Sequence, residues 1–292
     1  MQMKPDNPRY MLIMLSLVLV GYVVLWYRAT EHVPRQQSES LPDLNLAKDD
    51  VLPQDSLPLA DYLNLANEAL SQDKKEKAIS YYEQGLKQLK ESNSGKDDEE
   101  SLVIVLSLHT NHGSALSAVG RNQEAAEQYQ LALQKYANQI EDIVEDSFKR
   151  EVTDVAAQAS FFLGMVYQDM GQYHDSVDAY SQANILDPYH WASVANLAAV
   201  YHDNLAEHRM ALDAYNKAYE ILTKQDVEPT DPPTEPRFIL SQLQYRIGLC
   251  ISHDLNAKCA LEENPDKPLS CKELATNAFA QALEYDPSNE VS

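Results

Sequence analysis

Ser160 to Pro188, SFFLGMVYQDMGQYHDSVDAYSQANILDP, decides the fold. Phe161, Leu163, Gly164 and Tyr167 fall at the 3/4 spacing of one helical face. Met170-Gly171-Gln172 breaks that pattern, and the glycine permits the tight exit that a helix hairpin needs. Ser176, Val177, Tyr180 and Ala183 then make a second 3/4 stripe. Asp187-Pro188 ends it, because proline disfavours helix in the residue before it. The spacing predicts two short antiparallel helices. Gly164 and Ala183 let the backbones approach, and Phe161, Tyr167 and Tyr180 fill the space beside them.

The order small, aromatic, small, aromatic, small, proline is carried by Gly164, Tyr167, Ser176, Tyr180, Ala183 and Pro188. It resembles the tetratricopeptide repeat (TPR), a helix-turn-helix unit of about 34 residues. Serine stands where the family usually has alanine. One such unit cannot bury its apolar face alone, so the resemblance implies neighbours.

Four further registers match. Ala66, Ala78, Tyr82 and Gly85 mark one near 59–92, and Gly113, Gly120, Ala125, Tyr129 and Ala132 mark another near 106–139. The opening stretch lies in a unit near 157–190. Ala198, Tyr201, Ala211, Tyr215 and Ala218 mark a fourth near 191–225, with one extra residue in its turn. Gly248, Ala275, Phe279, Ala282 and Pro287 mark a fifth near 241–290, split by an insertion at roughly 256–270. The acidic stretch 140–156 is expected to extend the helices beside it. The expected fold class is all-α: a right-handed TPR solenoid of about five repeats over 59–292, plus one N-terminal transmembrane helix.

That membrane helix is read from Tyr10 to Tyr27, YMLIMLSLVLVGYVVLWY, which carries no charge. At 1.5 Å per residue it spans roughly 27 Å, one hydrocarbon core. Tyr10 and Trp26-Tyr27 stand where interfacial aromatics belong. Bulky residues crowd the place of a small-x-small cleavage site, which favours an uncleaved single-pass anchor over a removed signal peptide. Residues 1–9 form a short tail, and 28–58, with Pro34, Pro42, Pro53 and Pro58, reads as a flexible stalk. Lysine and arginine are balanced across the span, so the membrane and the side of it stay open.

The chain has 292 residues, 23 Lys+Arg against 45 Asp+Glu, and a formal net charge of -22. That charge argues against nucleic acid and anionic lipid surfaces as ligands. No P-loop, dinucleotide fingerprint, GxSxG or HExxH occurs. No catalytic residue, cofactor, metal or small-molecule substrate is expected, and the chain reads as no enzyme.

In a TPR array the first helix of each pair lines the concave groove. Two residues before the small slot of that helix stand Asn64, Asn111 and Asn196, with Phe162 and Arg246 in the other two repeats; Asn67 lies one residue after it. An amide donates and accepts, so a row of them can pair with a peptide backbone whatever its sequence. The row resembles the asparagine ladder in the TPR part of O-GlcNAc transferase. The opposing reading is that these amides bond between helices. Phe161, Met165 and Tyr245 complete the expected groove, with other neutral side chains. Asn67 and Asn111 also match asparagines of the co-chaperone clamp for a C-terminal carboxylate. That clamp's basic positions, however, hold Leu63, Gln158 and Phe162 here.

Three arrangements of the cysteines are open: reduced thiols, a Cys259–Cys271 disulfide stapling the insertion, or a zinc site of Cys250, His253, Cys259 and Cys271 at an uncommon spacing. His109 and His112, three apart, read as groove or packing residues. The resemblance implies a membrane-anchored adaptor that binds a segment of a partner protein. Two alternatives are the substrate-recruiting portion of a larger enzyme (a glycosyltransferase, hydroxylase or methyltransferase), for which the absence of a capping helix speaks, and a secreted TPR protein after signal cleavage.

Overall fold

A computed structural model describes residues 57–92, 99–224, 236–253 and 271–286. The chain divides into two units, Met1–Asp55 and Ser56–Ser292. The first, with the stretch 10–27, lies outside the described residues. Among the described residues there is no strand, and no helix is long and apolar enough to cross a membrane.

Ten helices follow one another among these residues: α1 (Leu59–Ser71), α2 (Lys75–Ser92), α3 (Glu99–Ala118), α4 (Asn122–Gln139), α5 (Asp146–Asp169), α6 (Tyr173–Leu186), α7 (Trp191–Ala199), α8 (His208–Lys224), α9 (Pro236–His253) and α10 (Cys271–Tyr285). Each odd-numbered helix packs on the next, and each pair packs on the pair after it. The fold is an all-α TPR solenoid.

Three of the pairs turn in the same way. Gly120 (φ +81) and Gly171 (φ +75) adopt the left-handed conformation, and Asp73 (φ 57) does so at the turn between α1 and α2. The amide after each reaches back to the closing helix: Lys74 N donates to Ala69 O, Arg121 N to Leu116 O, and Gln172 N to Tyr167 O, at 2.8–2.9 Å. These are Schellman closures, which satisfy carbonyls that the helix end would leave unpaired. The fourth turn has one residue more. The chain absorbs it as a π turn, Val200–Asn204, followed by Ala206 at φ 56. The closing bond there runs from Glu207 N to Tyr201 O at 2.8 Å, one residue longer than in the other three.

In the second, third and fifth pairs a glycine faces an aromatic ring. A Cβ placed on Gly113 would lie 2.7 Å from the Tyr129 ring, one on Gly164 2.6 Å from Tyr180, and one on Gly248 2.6 Å from Phe279. Tyr82, Tyr129, Tyr180 and Tyr215 are the largest fully buried side chains. Burial of each ring removes its apolar area from water, the main favourable term in such a core. Ser176, in place of the usual alanine, donates its hydroxyl to Gly164 O at 2.8 Å, so its polar group is satisfied.

Besides α9, which begins at Pro236 rather than near 241, two helices start earlier than the repeat register. α3 begins at Glu99 rather than near 106, and α5 at Asp146 rather than near 157. The reason is a small extra core in which Leu102, Leu106, Ile143 and Val152 are buried, with Tyr136 and Phe148 against them. The acidic stretch 140–156 is therefore amphipathic. A 3-10 turn at Ile140–Asp142 leads into it.

Candidate functional site

The odd-numbered helices present the residues expected to line the groove, and most of those residues are engaged within the protein. Asn67 Oδ1 accepts from the Tyr82 hydroxyl at 2.6 Å and from Asn111 Nδ2 at 3.2 Å. The ring of Phe162 lies 5.9 Å from that of Tyr129. The Tyr180 hydroxyl donates to Gln168 Oε1 at 3.2 Å and adjoins the side chain of Asn196. Arg246 Nη1 donates to Asp203 Oδ2 at 2.9 Å and to the Tyr215 hydroxyl at 3.1 Å.

These contacts share one pattern. The residue two before each small slot meets the buried tyrosine corner of the preceding repeat. Asn111, Phe162, Asn196 and Arg246 are thus joints between successive repeats. Asn64 belongs to the first described repeat, before which no repeat tyrosine stands among the described residues, and is exposed. The amide row expected from the sequence bonds chiefly inward, and its spacing alone does not distinguish the two uses. Phe161 is corrected outright: it is 1 % exposed, packed 5.9 Å from Tyr180 and edge-on at 4.9 Å to His190, so it offers no surface to a ligand. Met165 and Tyr245 remain half-buried, Tyr245 with its ring 5.7 Å from Phe279. Leu63, Ser114 and Leu249 are half-buried on the same helices.

His109 and His112 prove to be packed. His109 Nδ1 pairs with Gln128 Oε1 at 2.9 Å. His112 is 5 % exposed, its ring lies 5.9 Å from Tyr82, and the Gln128 side chain adjoins it. Burial pushes its pKa down to about 4. The unfolded chain takes up this proton near 6.5, and the folded chain does so only near 4. Stability from this group is therefore complete above about 6.5 and declines as the pH falls to about 4. At 1.36 kcal/mol per unit, the loss amounts to about 3 kcal/mol. We expect His112→Leu to flatten that part of the pH-stability profile. Urea unfolding of both chains from pH 7 to 4.5 measures it, and parallel profiles would refute a buried neutral imidazole.

Cys271 is held in a disulfide, and Cys250 is a free, fully buried thiol whose pKa burial pushes up to about 12. Such a thiol is a poor nucleophile and a poor metal ligand at neutral pH. Cys259 lies outside the described residues.

The family model for the tetratricopeptide repeat matches residues 62–88 and 157–190. No curated protein sequence matches the chain. Solved structures do. BtubC from P. vanneervenii is 17 % identical with a TM-score of 0.55, over 79 % of this chain and 80 % of that one. MamA is 17 % identical with a TM-score of 0.51, over 80 % and 96 %. YrrB, described as a TPR protein with an unusual peptide-binding site, is 16 % identical with a TM-score of 0.51, over 80 % and 88 %. At these identities the likeness carries the fold. The chain carries tetratricopeptide repeats at 62–88 and 157–190, and its described residues fold as a TPR solenoid.

Proposed function

We propose that this protein is a membrane-anchored, non-catalytic adaptor that binds a segment of a partner protein along its odd-numbered helices. One observation carries the reading. After the joints between repeats have used Asn67, Asn111, Asn196 and Arg246, the half-exposed side chains left on that face are neutral and largely apolar: Leu63, Met165, Tyr245 and Leu249. The occupant they suit is an extended or helical segment with apolar side chains. Peptide binding on the same fold by YrrB supports this use. The uncharged stretch from Tyr10 to Tyr27 supports the anchor, with 28–58 as a tether.

The test is site-specific photo-crosslinking of the full chain in its native cells, with the crosslinker at Met165 or at the exposed Gln182 of α6. The expected result is one discrete protein adduct from Met165 and none from Gln182, both chains being recovered in carbonate-washed membranes. Equal adducts from the two positions would remove the groove from the proposal. Release of the chain by carbonate would remove the anchor.

A further inference from the structure

We propose that the chain holds a divalent transition cation of the zinc class between its fourth and fifth repeats, on His202, His208 and His253. The three imidazoles come from three elements. His202 lies in the π turn that ends α7, His208 opens α8, and His253 ends α9. Their ring centroids are 5.2–5.3 Å apart in all three pairs. One ligand atom from each lies within 4.8 Å of the other two.

Three further observations point the cluster at a cation. First, His202 Nε2 is buried and has no hydrogen-bond partner. Leaving a buried nitrogen unmatched is costly, and a coordinated metal removes that cost. Second, the other nitrogen is held. His202 Nδ1 pairs with Asp203 Oδ1 at 2.7 Å, and Arg246 Nη1 grips Asp203 Oδ2 at 2.9 Å. A carboxylate behind an imidazole fixes its tautomer with the lone pair on Nε2 and raises its basicity, as is usual behind metal-bound histidines. Asp203 is thus a positioning residue rather than a ligand. Third, the extra residue of this turn is stored as a π turn, a rare feature that is frequent at functional sites. In the other repeats the place of His202, four residues after the small slot, holds Leu70, Ser117, Gln168 and Ser252.

The donor set selects the metal. Three neutral imidazoles suit zinc, copper or nickel and are poor ligands for magnesium or calcium. At Zn–N distances of about 2.0–2.1 Å the three nitrogens would draw in to about 3.3 Å from one another. Rotation about the soft outer torsion of histidine supplies most of that movement, and His253 is exposed and able to turn. A water completes the tetrahedron. The cation would tie α9 to the turn between α7 and α8, joining the last two repeats. A chain of net charge -22 favours its capture.

The test is titration of zinc, against a chromogenic chelator, into full-length chain purified without a polyhistidine tag and stripped of metal. The expected result is one zinc per chain. His253→Ala and His208→Gln should each weaken binding at least tenfold with unchanged far-UV circular dichroism, and Asp203→Asn should weaken it about tenfold or more. Absence of saturable binding, or undiminished binding by His253→Ala, overturns the proposal. Should both histidine variants misfold, the absorption of cobalt bound to the natural chain decides. Tetrahedral d–d bands without thiolate charge transfer support the three imidazoles; a thiolate band or no cobalt signal overturns them.

Discussion

Tyr180→Ala is expected to destabilise the protein by about 3–5 kcal/mol, the range for deleting a large, fully buried aromatic side chain. The ring is 0 % exposed and is enclosed on every side that the structure describes. Gly164 lies so close that any Cβ there would sit 2.6 Å away, Phe161 is 5.9 Å off, and the hydroxyl donates to Gln168. The backbone around Gly164 is held by α5 on both sides, so the cavity cannot collapse freely. Position enlarges the consequence. The third repeat lies mid-array, and a solenoid's stability is a sum over repeats and the joints between them. Loss of Tyr180 weakens its own repeat and its joint to Asn196 together. Urea unfolding followed by circular dichroism measures the effect. Tyr180→Phe is the control: it keeps the ring and should cost only about 1 kcal/mol. A Tyr180→Ala chain as stable as Tyr180→Phe would show that the ring does not wedge this hairpin.

This hairpin is also where the sequence was most legible. Gly164, Ser176, Tyr180 and Gly171 lie within one short stretch, and their structural roles follow from helical spacing and from one left-handed turn. Both are local properties. What spacing could not resolve was direction. Phe161 and Phe162 are adjacent, and only packing decides that the first enters the core while the second meets Tyr129. The early starts of α3 and α5 depend on Leu102 and Val152, far apart in sequence, sharing one small core. The histidine cluster joins residues from different repeats, and the π turn that places His202 is a consequence of one extra residue whose conformation the spacing left undetermined. Asn111 and Asn196 were legible as a row. Whether an amide faces a ligand or a neighbouring phenol depends on the tyrosine of the preceding repeat.

Arg246 poses that question most sharply, and Arg246→Ala is expected to cost about 2–3 kcal/mol. Its side chain is 11 % exposed, and its guanidinium is shared between Asp203 and the Tyr215 hydroxyl, with the Tyr215 ring 5.9 Å beneath. Removing one partner of a buried ion pair usually costs 3–5 kcal/mol, at about the scale set by the charge left behind. Asp203 is 33 % exposed, so water would take over part of the arginine's role, which brings the expectation below that range. The damage should be local. Hydrogen exchange is expected to quicken in α8 and α9 while α1 to α4 keep their protection, because each repeat contacts only its neighbours. A residue whose business was gripping a peptide would behave in the opposite way: partner capture would fall, with exchange in α8 and α9 unchanged. Arg246→Met separates lost packing from lost charge, since it refills most of the stem's volume without the guanidinium. If Arg246→Met retains the protection that Arg246→Ala loses, the arginine's carbon stem holds the joint. If both lose it, the bond to Asp203 holds it, and the same bond then orients the imidazole of His202.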